Sequence, residues 1–98
     1  MHRRAEIETA LRRLVPGIPL HEFGAVIDHA LDSGGLRAAS PEAAAWLSLV
    51  AYVRHTFTDY DARLDEGYDR DSARFFVLEE MNDVLRGWRA KRLVSEDD

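Results

Sequence analysis

Cysteine is absent from the 98 residues, which removes disulfides and thiolate metal sites from the range of chemistries. No apolar run approaches the roughly 18 residues that a membrane span requires. The charged start, His2-Arg3-Arg4-Ala5-Glu6, leads into no apolar stretch of the secretory kind. Glycine is scarce, and Gly34-Gly35 and the isolated Gly67 form no phosphate-cradling loop. Strand signals are missing too: nothing alternates with period two over strand length, and no Asn-Gly or Asp-Gly hairpin pair occurs. Together these absences predict a cytoplasmic, all-α protein with no membrane segment.

What the chain does contain is enough apolar residue, 46%, to build one core at this length without staples. We expect a single helical domain over residues 1–94 and a disordered acidic tail over 95–98. The net charge of −5 is unevenly laid out. Residues 1–20 carry +2 and residues 84–92 carry +4, whereas residues 59–83 carry −6 and the tail −3. A non-specific nucleic-acid binder is normally basic overall, because phosphate neutralisation supplies most of its affinity. The bulk charge therefore counts against nucleic acid, and the basic ends keep it as an alternative.

Ala5, Ile7, Ala10, Leu11 and Leu14 recur at helical spacing over residues 3–14, with acids early and arginines late, as the helix dipole favours. Pro16 and Pro19 break that helix. Leu20, Phe23, Val26, Ile27, Ala30 and Leu31 stripe a second helix over 20–32, with Ser33-Gly34-Gly35 as a left-handed glycine cap. Ser40-Pro41-Glu42 opens a third: a serine cap, proline in the first turn and an acid behind it. Its stripe of Ala43, Trp46, Leu47, Val50, Val53 and Phe57, widened by Leu49 and Tyr52, marks the centre of the core. Thr58 is able to cap a new helix, yet Leu64 continues the stripe, so the third helix either breaks there or runs to Glu66. Gly67 is a stop. Asp69 or Asp71 caps a last helix reaching about Arg92, with Ala73, Val77, Met81, Val84, Leu85 and Trp88 inward and Phe76 and Leu78 flanking. The fold class expected is an all-α bundle of four or five helices.

One stretch, Arg54 to Arg74, concentrates polar chemistry: four arginines, one histidine and six acids within 21 residues. If it is helical, His55, Asp59 and Arg63 line up at i, i+4, and an aspartate beside His55 would raise the imidazole pKa. Arg70 and Arg74 are also i, i+4, and paired guanidinium forks suit an oxyanion, phosphate above all. The opposing account is structural: ion pairs that fix packing, with Tyr60 and Tyr68 burying rings and wetting hydroxyls. No nucleophile, base and orienting group are recognisable by spacing, so no catalytic residue is assigned. His21 and His29 lie two turns apart, and Glu79, Glu80 and Asp83 suit a solvated acidic face, so neither a metal nor any other cofactor is expected.

Arg54-His55, Thr58, Tyr60-Asp61, Leu64, Gly67, Arg70, Ala73-Arg74 and Trp88-Arg89 resemble the pattern of a bacterial and fungal family known as domain of unknown function 2293. The resemblance covers roughly residues 15–89, including the Pro16 to Pro19 break. Arg63 departs from it where two leucines are the rule, and the linker from Gly34 to Ala39 is poorer in basic residues. No activity, substrate or cofactor comes with the resemblance. It does imply that Arg54, His55, Thr58, Tyr60, Arg70 and Arg74 belong together.

The function expected is a non-catalytic interaction module whose partner or anion surface is Arg54, His55, Thr58, Tyr60, Asp61, Arg70 and Arg74. Its partner is another protein or a second copy, a homodimer. One alternative is nucleic-acid association through Arg3, Arg4, Arg12 and Arg13 with Arg86, Arg89, Lys91 and Arg92. Another is an enzyme acting on a phosphate ester, with Arg70 and Arg74 as clamp and His55 as acid–base.

Overall fold

The computed structural model describes residues 2–98. It contains α1 (Arg3–Leu14), α2 (Leu20–Asp32), a 3₁₀ turn (Gly34–Leu36), α3 (Pro41–Phe57), α4 (Tyr60–Asp65) and α5 (Arg70–Gly87), and no strand among those residues. The all-α expectation holds, and the third helix does break at Thr58.

Local chemistry accounts for each boundary. Ser40 Oγ accepts from the Ala43 amide at 3.1 Å with proline at the first position of α3, and Asp69 Oδ1 accepts from the Ser72 amide at 2.7 Å to start α5. These bonds satisfy amides that have no partner inside the helix. Thr58 Oγ1 donates to the Arg54 carbonyl and accepts from the Tyr60 amide. One hydroxyl thus closes α3 and opens α4. Gly67, at φ +104°, ends α4: its amide reaches Leu64 O and the Tyr68 amide reaches Arg63 O. That paired closure is a Schellman motif.

The end of α5 repeats the motif earlier than expected. The helix stops at Gly87 and does not reach Arg92, because Arg89 takes φ +58° and its amide bonds Arg86 O while the Ala90 amide bonds Leu85 O. An arginine therefore stands where glycine is the usual choice. Gly34 and Gly35 show the reverse: neither adopts positive φ, and the chain leaves α2 through extended Ser33 into the 3₁₀ turn.

α3 lies at the centre, packed against α1, α2, α4 and α5. Ala44 and Ala45 are fully buried and small enough for neighbouring helices to come close, with Leu49, Val50 and Val53 continuing the core. The buried face is rotated from the expected stripe. Leu47 and Phe57 are partly exposed, whereas Ser48 and Arg54 are buried. α1 contributes Ile7, Ala10 and Leu11, α2 contributes Val26, Ile27 and Ala30, and α5 contributes Ala73, Val77, Met81 and Leu85.

Two long-range ties shape the rest. The α1–α2 turn meets the segment after α5: Gly17 donates to Trp88 O at 2.8 Å, and the Lys91 amide donates to Leu14 O at 2.8 Å. Arg3 reaches across to the α2–α3 connection, donating to Ala39 O at 2.9 Å and Leu36 O at 2.8 Å. Among the described residues no helix is long and apolar enough to cross a membrane.

Candidate functional site

The break at Thr58 decides where the polar stretch goes. It turns α4 away from the axis of α3, so the expected i, i+4 alignment of His55 with Asp59 does not form. Instead His55 Nδ1 meets Asp61 at 2.9 Å, with both side chains exposed, and Asp59 pairs with Arg63 at 3.0 Å. The His55 ring stands edge-on to Tyr60 at 5.4 Å. Thr58 is occupied with the two helix ends.

Arg54 points the other way. Only 7% exposed, it runs over the Tyr60 ring at 5.6 Å and donates from Nη2 to Asp98 O at 3.3 Å. Its Nε is buried without a hydrogen-bond partner, and so is that of Arg74. Neither arginine forms an ion pair among the described residues. Burial pulls the Arg54 pKa below its ordinary value, and the like charge of Arg74 adds to this, against the pull of Tyr60 and Asp98. Both arginines line a cavity of about 280 Å³ with Asp71, Phe75, Leu78 and Met81 of α5 and with Val94, Ser95, Glu96 and Asp98. Arg70 and His55 are not in its lining. Of the seven residues grouped in the sequence, the structure brings Arg54, Tyr60 and Arg74 together, holds His55 with Asp61 at the surface, and leaves Arg70 exposed. The clamp and acid–base required for phosphate-ester chemistry do not share this cavity.

The segment after α5 supplies one wall. Asn82, buried on α5, donates from Nδ2 to Val94 O at 3.0 Å and accepts the Val94 amide on Oδ1 at 2.8 Å. Beyond it the tail lies against the bundle. Asp98 accepts from Trp46 Nε1 at 3.2 Å, from Arg92 at 3.1 Å and from the Ser95 amide at 2.8 Å. Arg92 in turn lies 4.1 Å from the Trp46 ring centre. The acidity of the tail made it look solvated, but an indole, a guanidinium and an amide give Asp98 specific partners.

Burial opposes the Asp98 charge, yet those hydrogen bonds and Arg92 outweigh it and hold the carboxyl below its ordinary pKa. The carboxylate thus favours the docked tail at neutral pH. That contribution is lost as pH falls from the ordinary value, about 3.9, through the lower folded value. The expected result is an acid titration of the Trp46 indole resonance that is missing in Asp98→Asn. A Trp46 resonance unmoved by acid in the unsubstituted chain would contradict it.

A second feature was not singled out in the sequence. Phe75 and Phe76 are 62% and 47% exposed, and Tyr68 is 41% exposed. Phe76 meets Phe75 edge-on at 6.0 Å and Tyr68 at 5.3 Å, with Arg63 5.0 Å above the Phe76 ring. The signal was available. Phe75 is two residues from Ala73, about 200° around the helix, so it cannot share the core stripe. Asp71, Arg74, Phe75 and Leu78 form a stripe of their own at helical spacing, toward the cavity that the core residue Met81 also lines.

Most of the basic residues at the two ends have local engagements. Arg4 pairs with Glu8 at 3.2 Å, Arg12 lies 4.7 Å from the Phe23 ring centre, and Arg86 pairs with Asp83 at 3.0 Å. Arg13, Lys91 and Arg92 converge on an open apolar depression of about 660 Å³ between α1 and α3, over Ala10, Leu14, Trp46 and Leu47. Among the described residues no cluster of three histidine or acidic side chains is placed to hold a metal ion. Tyr52, on α3, donates to Glu22 at 3.4 Å, and burial and that carboxylate both raise its pKa.

A family model described as "Uncharacterized conserved protein (DUF2293)" matches residues 10–89. Neither the curated proteins nor the solved structures gave a match to the chain.

Proposed function

The chain belongs to the DUF2293 family of uncharacterized conserved proteins, and we propose that it works as a non-catalytic interaction module that self-associates through the exposed face of α5. The observation that carries this reading is the contiguous aromatic surface of Tyr68, Phe75 and Phe76. Clustered exposed rings of this kind mark interfaces more often than ordinary surface, and aromatic residues dominate interface energetics.

A second copy is the partner proposed, because the same three rings then meet their equivalents across a two-fold axis. The contact is isologous and closes as a dimer. One helix face buries less than a standard interface of about 800 Å² per partner, so the association is weak, with Kd on the order of micromolar.

Sedimentation over a concentration series is expected to show a reversible monomer–dimer equilibrium. The double substitution Phe75→Ser with Phe76→Ser should abolish it with the helical signal retained, since neither ring is in the core. A chain that stays monomeric at several hundred micromolar, or a dimer indifferent to the substitution, would refute the reading. Nucleic-acid association draws less support, because Arg4, Arg12, Arg86 and Arg92 already have partners.

A further inference from the structure

We propose that the cavity between the end of α3, the outer stripe of α5 and residues 94–98 binds a small organic monocarboxylate with an apolar stem, its carboxylate seated at Arg54 and Arg74. This goes beyond the self-association reading, which shares Phe75 with the cavity but does not require the cavity to be filled.

Four features carry the assignment. The first is an incompletely compensated charge. Arg54 is more than nine-tenths buried, its Nε has no partner, and its Nη2 bonds Asp98 O. A desolvated guanidinium outside an ion pair is unfavourable, the nearby Arg74 adds like-charge repulsion, and the Asp98 charge offsets these only in part. An anion between the two relieves both costs. The planar forks present paired donors to a carboxylate, as ammonium groups do not.

The second is the wall opposite. Phe75, Leu78, Met81 and Val94 line the same space, and a fully polar ion would leave them wet. A ligand with a hydrocarbon stem covers them and gains from their burial. Size is the third. About 280 Å³ lies just below the range of ordinary ligand pockets, which limits the occupant to a small molecule.

The fourth feature separates carboxylate from phosphate. Asp71 and Glu96 also line the cavity, and neither forms an ion pair with Arg54 or Arg74. The Asp98 carboxylate is turned toward Arg92, Trp46 and Ser95. The fixed acids at the rim tolerate one ligand charge next to two arginines, whereas each further charge meets their repulsion. A monoanion fits where a phosphate dianion does not.

The test uses the full chain and arginine Nε–Hε resonances, with three probes: isocaproate, isohexanol (the same stem without the charge) and inorganic phosphate. Isocaproate is expected to shift the Arg54 and Arg74 signals saturably. Isohexanol should leave them in place, and phosphate should bind at least about tenfold more weakly. Arg74→Gln should weaken isocaproate about tenfold or more, and Arg74→Lys, which keeps the charge but loses the fork, by a smaller factor. Arg70→Gln, an exposed arginine of the same helix outside the cavity, should change nothing. Phe76→Ser should leave isocaproate binding intact whatever it does to association, so the two proposals fail separately. The assignment is overturned if isocaproate gives no saturable shift, if isohexanol or phosphate matches it, or if Arg70→Gln costs as much as Arg74→Gln. Should Arg74→Gln lose helical signal, the Arg74→Lys and Arg70→Gln comparison alone decides.

Discussion

Gly17→Ala is expected to destabilise the protein by about 2–4 kcal/mol, combining overpacking with the weakening of a hydrogen bond. A Cβ on Gly17 would stand 2.9 Å from Trp88 O, 3.0 Å from Trp88 C and 3.2 Å from Trp88 Cα, all main-chain atoms. A flexible side chain could swing aside, but backbone cannot. The Gly17 amide also donates to that same Trp88 oxygen at 2.8 Å, so moving the two strands of chain apart costs the bond. The neighbouring tie from Lys91 to Leu14 O would be pulled with it. For a domain of this size the loss corresponds to a fall in melting temperature of roughly 10–20 °C. Gly24→Ala is the matched control. Gly24 lies inside α2 with nothing within 4 Å of the added carbon, and alanine there should stabilise by about 1 kcal/mol. Thermal melts of the two variants should therefore move in opposite directions. If both rise, the Gly17–Trp88 approach is not as close as the structure has it.

That contact also shows what kind of information a sequence of this sort withholds. Ser40-Pro41, Asp69 and Gly67 act on amides and carbonyls within three or four residues of themselves, and each boundary they set was legible. Thr58 was legible as a choice between two outcomes. A hydroxyl that bonds both Arg54 O and the Tyr60 amide is a local event, but whether it wins over a continuing apolar stripe depends on where Tyr60 is buried. Gly17 looked like part of a proline-rich break, and nothing near it in the chain pointed to Trp88, 71 residues on.

The candidate site divides in the same manner. The cluster from Arg54 to Arg74 was visible as composition, and the partners of its members were not. Helical extrapolation aligned His55 with Asp59, and the turn at Thr58 gave Asp61 to His55. It joined Arg74 to Arg70, whereas burial joins Arg74 to Arg54 through the cavity that the C-terminal segment closes. A tail of Glu96-Asp97-Asp98 reads as solvated by charge alone. Its docking needs Trp46 and Arg92 to be side by side, which only the packing of α3 against residues beyond α5 provides. Pairings between segments far apart in the chain were the illegible part, and the cavity is made of them.

Asn82→Leu is expected to cost about 2–4 kcal/mol, and to do so by releasing one segment while the helices stay formed. Asn82 is 5% exposed, and its amide group exchanges two hydrogen bonds with the main chain of Val94. A leucine is close in volume but offers neither a donor nor an acceptor. The buried Val94 amide and carbonyl would then have no partner, at about 1–3 kcal/mol for each such group. The chain has a cheaper escape: residues beyond Leu93 detach, both groups find water, and the cost is capped at the docking energy of that segment. Detachment uncovers the Val94 side chain and breaks the contacts of Asp98 with Trp46 and Arg92. It also opens one wall of the cavity at Arg54 and Arg74. Amide exchange should accordingly rise at Val94 and at the Trp46 indole while Leu49, Val53 and Val77 remain protected. Uniform loss of protection across α3 and α5 would mean that the segment belongs to the cooperative core. Unchanged exchange at Val94 would mean that Asn82 does not hold it.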